Sequence, residues 1–334
     1  MRKVSVFLFG IILFFALTFG GGRSILASAE ENKVYIGGMS AGFTLKTGGA
    51  QVIGFSEVVT EDGTYSPALN AGIRVGDVIC KVGGVRVEGV ADLNETVNKS
   101  KGKEVEIELT RGGERIKLSI SAKKEQASQR YKVGVLVRES VSGIGTVTYI
   151  HEDGRFGSLG HAVVGDNHQE MSISNGMVYE CSIVGVSKGY RGKAGELRGM
   201  FLNDKVFGNA EKLCDCGIFG QISEDFTVNE LISTVANSNT VKPGNAYIYS
   251  TVSGVTPKRY EIEIVKVDKL NRENKNYVIK ITDDKLIAET GGIVQGMSGS
   301  PILQEGKLVG AVTHVFLNDP TRGYGIDIER MMRE

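Results

Sequence analysis

The sequence predicts a mainly β chain, with an apolar N-terminal segment followed by two β-rich domains. Three observations carry this. Gly is frequent, 45 of 334 residues, while Pro is scarce at 5 and Trp is absent, a composition suited to tight turns between short strands. Short candidate strands recur at close spacing along most of the chain, with turn residues between them. The one long uninterrupted apolar stretch, Val4 to Gly20, is confined to the start. The length suits about two domains. With 39 basic and 39 acidic residues the formal charge is zero, so neither nucleic acid nor an anionic surface is expected as the main partner.

Arg2 and Lys3 precede the apolar stretch, Gly21-Gly22-Arg23 ends it, and Ala27-Ser28-Ala29 offers a small-residue cleavage pattern before Glu30. Residues 1–29 therefore read as an export signal, which places the body outside the cytoplasm. The stretch is near the lower limit for crossing a bilayer, roughly 17–25 residues, so an uncleaved signal-anchor holding the chain to the membrane stays open. Four cysteines, Cys80, Cys181, Cys214 and Cys216, are too few for a disulfide scaffold. A bridge from Cys181 to Cys214 or Cys216 is allowed, with nothing to support it. Cys214-Asp215-Cys216 lacks both a nearby His and the usual two-residue gap of a zinc site, so a structural role and no metal are expected.

From 33 to 123 strand-like pieces alternate with glycine turns around one helix, Val90 to Lys99, on which Val90, Leu93, Asn94 and Val97 share a face. Within it runs Tyr65-Ser66-Pro67-Ala68-Leu69-Asn70-Ala71-Gly72-Ile73-Arg74-Val75-Gly76-Asp77-Val78-Ile79, then Val82-Gly83-Gly84-Val85-Arg86-Val87. This order of small residues, Ala-Gly-apolar, Gly-Asp, strand and tight turn resembles PDZ domains of bacterial exported proteases. Such domains add a peptide strand to a sheet edge and hold its carboxylate in loop amides. The matching loop is expected at Ala41 to Leu45, with Gly42, Phe43, Thr44 and Leu45 as peptide-binding residues. Lys123 to Arg130 is polar and reads as a linker.

The second domain is expected at 131–334. Strand candidates are Tyr131 to Val137, Ile144 to Ile150, Val178 to Val186, Glu196 to Leu202, Gly217 to Ile222, Ala246 to Val252, Tyr260 to Val267, Tyr277 to Ile281 and Leu308 to Val315. Their spacing favours β-barrels over a parallel α/β sheet. A last helical turn, Ile328 to Arg333, closes the chain.

Chemistry concentrates at Gly291 to Pro301, Gly-Gly-Ile-Val-Gln-Gly-Met-Ser-Gly-Ser-Pro. Glycines around Ser298 permit a sharp turn that exposes the hydroxyl, and the amides of Gly296 and Ser298 can converge on an oxyanion. The run Ile302 to Val312 reads as a hairpin seating the loop. Ser298 needs a base. Of His151, His161, His168 and His314, His161 is favoured because Gly157-Ser158-Leu159-Gly160 before it admits close approach of another loop. His151 and His168 sit in polar turns, and His314 reads as a hydrogen-bonded histidine near the cleft. The separation of His161 and Ser298 along the chain puts them on two halves of a double barrel. For an Asp to orient the imidazole, Asp283 lies at a strand end shortly before the serine loop. Residue types alone leave Asp284, Asp166, Asp204 and Asp268 open.

Thr290 to Ile302, then Gly310-Ala311-Val312-Thr313-His314-Val315-Phe316, Leu317-Asn318-Asp319-Pro320 and Gly323-Tyr324-Gly325 closely resemble the stage IV sporulation protein B family of signalling serine peptidases. The resemblance covers nearly the whole chain and implies a PDZ domain followed by a chymotrypsin-like double barrel, with a catalytic triad at His161, Asp283 and Ser298. It also implies an enzyme exported across the forespore inner membrane into the space facing the mother cell. There it would cleave itself and then a membrane-bound regulator of sigma-factor processing. No cofactor is expected, and no His-Glu-x-x-His helix is present for a metalloprotease.

Overall fold

A computed structural model of the chain describes residues 33–163, 175–227 and 231–334. The expected signal segment, 1–29, and Asp166 and His168 lie outside these described residues. Among the described residues no helix is long and apolar enough to cross a membrane.

The chain is mainly β, and its first strands already depart from a simple order of one domain after another. β1 (Lys33–Ile36) and the first half of β2 (Ser40–Phe55) belong to the sheet of the C-terminal half. The second half of β2 enters the PDZ unit, whose main elements are α1 (Pro67–Asn70), β3 (Val78–Val82), α2 (Val90–Lys99), β4 (Glu104–Arg111) and β5 (Glu114–Ser121). The chain then returns on β6 (Val135–Ile150), which pairs antiparallel with β2 along almost its whole length, from Val135↔Phe55 to Thr146↔Ser40. The PDZ unit is thus inserted between two neighbouring strands of a barrel, and a two-stranded ribbon joins them. The expected boundary at 33 does not follow this strand pairing.

Within the PDZ unit Val52, Ile79, Val82, Leu93, Val97, Ile107 and Leu109 form one core. On α2 the residues Leu93 and Val97 turn inward, as their spacing of four predicts. The Gly76-Asp77 pair has a structural reason. Buried Asp77 accepts from Arg111 Nε and Nη2, both at 2.7 Å, and from the Arg74 amide at 2.8 Å, so its charge is paired and hydrogen-bonded.

After β6 come β7 (Arg155–Leu159), β8 (Asn175–Ser187), β9 (Glu196–Cys214) and β10 (Gly217–Ile222). The ring β2–β6–β7–β10–β9–β8 closes where β8 pairs back onto β2, Val178 opposite Phe43. Phe43, Leu45, Phe156, Val178, Phe207 and Ile218 fill it. A short strand β11 (Ile232–Thr234) pairs with β1.

A second closed barrel follows, from β12 (Gly244–Ser250), β13 (Lys258–Val267), β14 (Tyr277–Ile281), β15 (Pro301–Gln304), β16 (Lys307–Phe316) and β17 (Asp319–Asp327). Period-two alternation sends Ile248, Ile262, Ile264, Ile279 and Ile281 inward. Each such side chain contributes about 1.5–3 kcal/mol relative to exposure. β15 and β16 are the expected hairpin, turning at Glu305 (φ 52) and Gly306 (φ 79), both left-handed as a tight two-residue hairpin requires. Between β14 and β15 lie α3 (Asp284–Thr290) and the serine loop, and α4 (Ile328–Met331) ends the fold. All four cysteines are free thiols; Cys181 packs in the second-barrel core cluster, apart from Cys214 and Cys216.

Candidate active site

The serine loop starts where α3 stops. Gly291 ends that helix in the left-handed region at φ 78, and Gly292 continues at φ 131. Its path is then pinned from both barrels. Gln295 exchanges backbone bonds with β9 and the residue before it, its amide to Gly195 at 2.9 Å and its carbonyl from Leu197 at 2.8 Å. From β6 the Thr146 hydroxyl donates to the Gly296 carbonyl at 2.8 Å and the Thr146 amide to the Ser298 carbonyl at 2.9 Å. The Thr148 hydroxyl donates to the Gly299 carbonyl at 2.8 Å. Ser300, fully buried, donates to Ser250 on β12 at 3.0 Å.

Two glycines are required here. Gly296 has φ 97 and Gly299 φ 94, and a Cβ on Gly299 would stand 2.0 Å from the Thr146 carbonyl oxygen. The three carbonyls of Gly296, Ser298 and Gly299 face β6 and are occupied. Among the described residues, the amides of Gly296 and Ser298 donate to no protein acceptor. That is the arrangement an oxyanion hole needs: acceptors tied back, donors left for a ligand.

His161 follows β7, and it shares a pocket of about 280 Å³ with Gly296 and Ser298. The walls are apolar, from Phe43 and Leu45 on β2, Val141 and Ile144 on β6, and Ile218 on β10. His161 Nδ1 lies 2.7 Å from the Ala162 carbonyl oxygen, which can only accept, so the proton sits on Nδ1 and Nε2 keeps its lone pair. Burial holds the imidazole below its ordinary range, and the Ala162 carbonyl only partly offsets this. His161 is therefore neutral near pH 7, as a general base must be. The Ser298 hydroxyl donates to the Thr313 carbonyl at 2.8 Å. His314, next along β16, places its ring centre 5.0 Å from that of His161. Its pKa too is lowered, first by the loss of water from around the ring and then by the charges of His161 and Lys275.

The structure thus brings together Ser298, the Gly296 amide and His161, and adds His314. It does not bring Asp283 to His161. Asp283 is the N-cap of α3: its Oδ1 accepts from the Lys285 and Leu286 amides at 3.0 Å each, and its Oδ2 from the Glu261 backbone amide at 3.4 Å. An aspartate at the junction of a strand and a helix satisfies orphan amides there, and that use consumes its carboxylate. Asp284 is exposed in the first turn of the same helix.

The expected PDZ loop is also corrected. Gly42, Phe43, Thr44 and Leu45 form no loop; they lie in the middle of β2, paired with Leu45↔Val141 to Gly42↔Ile144 on one side and Gly176 to Tyr179 on the other. Phe43 and Leu45 line the serine pocket, while Thr44 and Lys46, facing the opposite way, line a larger cleft of about 840 Å³ that shares none of the described residues with it. In the PDZ unit itself, the edge of β2 at Gln51 to Phe55 is already paired with Val135 to Arg138 of β6. Val133, buried, and Val135 and Val137, half-buried, pack on the PDZ core beside α2. That edge is therefore closed to an added peptide strand. Thr146, Thr148 and Thr313 escaped the sequence reading; two threonines two apart in a strand share one face, the only signal available for the first pair.

Residues 129–332 match the SpoIVB peptidase S55 family model, more than half the chain, and residues 38–122 match a PDZ domain model. A protein of Lactococcus lactis subsp. lactis described as a zinc metalloprotease, LL2128, is 38% identical over 76 residues, which is 23% of this chain and 17% of that protein. Among solved structures, the active form of the Rv3671c protease from M. tuberculosis is 13% identical, with 58% of this chain and 74% of that chain covered at a TM-score of 0.33. The HtrA-type protease AlgW with a tripeptide is 12% identical, covering 57% and 54% at 0.33. With its serine loop and His161 both inside the matched region, the chain belongs to the SpoIVB peptidase S55 family.

Proposed function

We propose that this chain is an exported serine endopeptidase that cleaves itself and then a membrane-bound regulator of sigma-factor processing during endospore formation. The observation that carries the chemistry is Ser298 at a turn whose Gly296 and Ser298 amides meet no acceptor among the described residues, in one apolar pocket with the lone pair of His161. Family membership supports the developmental role, and the apolar start of the chain supports export to the space between forespore and mother cell.

In this mechanism the Ser298 hydroxyl leaves the Thr313 carbonyl and turns to His161, whose Nε2 takes its proton as Oγ attacks a peptide carbonyl. The oxyanion forms between the Gly296 and Ser298 amides; each such donor is worth about 2.7–4 kcal/mol of barrier. The imidazolium then protonates the leaving amine, and water, deprotonated by the same imidazole, releases the acyl-enzyme. Freed of the hydroxyl, the Thr313 carbonyl becomes available to a substrate amide. The Ala162 carbonyl fixes the tautomer, although a neutral acceptor stabilises the imidazolium less than a carboxylate does.

Purified chain incubated alone and with a membrane-embedded regulator from a sporulating source tests the proposal. Self-cleavage and regulator cleavage that disappear in Ser298→Ala support it. Cleavage of unfolded casein with no cut in the regulator would instead make the chain a general exported protease.

A further inference from the structure

His161 and His314 come from different barrels, yet their ring centres stand 5.0 Å apart with planes inclined at 40°, beside the Ser298 pocket. A tetrahedral zinc ion holds each histidine nitrogen at about 2.0–2.1 Å, which sets two imidazoles sharing it roughly 5 Å apart between centres. The 5.0 Å between the two ring centres matches that separation. The tautomer is prepared as well. His161 donates its Nδ1 proton to the Ala162 carbonyl at 2.7 Å, the outer contact that metal-ligating histidines almost always make, and this leaves Nε2 as the donor atom. Lys275, the cation nearest in effect to His314, is paired with Glu273 at 2.9 Å, which lowers the cost of bringing a second positive charge to the rings.

We propose that His161 and His314 form a two-histidine site for a divalent transition-metal ion such as Zn²⁺, and that its occupancy switches the peptidase off. The ion takes the Nε2 lone pair that must otherwise accept the Ser298 proton, and water completes its coordination. Nothing is oxidised and no covalent bond to carbon forms, so chelation restores the base. Inhibition rests on the serine-peptidase reading above; metal binding does not.

A second donor cluster supplies the control. Cys214, Asp215, Cys216 and Glu334 place ligand atoms within 4.8 Å of one another. Its carboxylates are already held, Asp215 by Arg330 at 3.1 Å and Glu334 by Lys212 at 2.9 Å.

CoCl₂ titrated into the full chain carrying Ser298→Ala, which prevents self-cleavage, reads binding by visible absorption. The same titration is run with His314→Ala or His314→Gln added, and with Cys214→Ser plus Cys216→Ser added. One nitrogen-type cobalt site is expected, weakened about tenfold or more by either His314 change, the scale on which even outer-shell partners act, and kept in the cysteine variant. In parallel, ZnCl₂ should inhibit peptide hydrolysis by the unaltered chain, and His314→Gln should hydrolyse with about tenfold lower sensitivity to zinc. Cobalt binding indifferent to His314, or lost only with the cysteines, overturns the site. Binding at His314 without inhibition overturns the switch. Hydrolysis absent from every protein without metal refutes the peptidase reading, and the cobalt titration still decides the site.

Discussion

The hydroxyl of Thr146, on the first barrel, donates to the carbonyl of Gly296 in the serine loop at 2.8 Å. This bond turns the Gly296 peptide so that its carbonyl faces β6. With the amide of the same strand residue on the Ser298 carbonyl, it makes the loop a joint product of two barrels.

Thr146→Val keeps the shape and removes the donor. The buried Gly296 carbonyl then lacks a partner, at about 1–3 kcal/mol of stability. Turnover is expected to fall about tenfold or more with little change in KM, because the loop supplies donors that act in the transition state. Denaturant melts beside steady-state kinetics check both.

Asp283 separates two roles cleanly. As a helix cap, Asp283→Asn retains the acceptor and should leave activity nearly intact, while Asp283→Ala costs about 0.5–2 kcal/mol of stability. A triad aspartate replaced by Asn would instead lower turnover about 10⁴-fold. Kinetics of the Asn variant distinguish the outcomes, and a loss of that size would restore Asp283 to the active site in a rearranged form.

The lowered pKa of His161 sets the acid limb of the pH profile. The base is lost only when it protonates, so kcat/KM should persist below the ordinary histidine value of about 6.5 before falling. Stability follows the same sign. His161, His151 and His314 are all depressed in the fold, so below about 6.5 the unfolded chain binds more protons and stability falls as pH falls through that window. Above it the histidine contribution is fully present. Denaturation midpoints from pH 7.5 down to 5 should therefore decrease.

The insertion of the PDZ unit makes deletions informative. Removing 33–123 takes away β1 and β2, a strand of the first barrel, and should leave an unfolded or aggregating product. Joining Thr47 to Glu139 with a short turn removes the unit but keeps Ser40 to Lys46 paired with Ser140 to Thr146. That product should fold. Circular dichroism and limited proteolysis of the two deletions report the difference.

Much of this was legible in the residues. The strands Gly217–Ile222 and Tyr277–Ile281, the helix Val90–Lys99 and the hairpin after Pro301 appear where alternation and turn residues predict them. Ser298 and His161 stand out in the sequence because glycines flank Ser298 and precede His161, and the structure places the two on one pocket. Other features were not readable, for physical reasons. Ala41 to Leu45 alternates like any half-buried strand, and alternation says which faces are apolar, not which sheet claims the edge. Val133 to Val137 gives the same pattern whether it is a barrel strand, a PDZ strand or both. Asp283 precedes Asp284-Lys285-Leu286-Ile287, and its position suits a cap as well as a catalytic carboxylate; only the direction of neighbouring amides decides. His314 was expected near the cleft, but its ring contact with His161 crosses between barrels, which no local pattern encodes.

The most direct measurement is mass-spectrometric mapping of a fluorophosphonate adduct on the folded chain, with His161→Ala and Asp283→Asn beside it. An adduct on Ser298 that is lost in His161→Ala and kept in Asp283→Asn is the predicted result. Absence of an adduct on folded, metal-free chain, before and after self-cleavage, would contradict the assignment of Ser298 as an activated nucleophile.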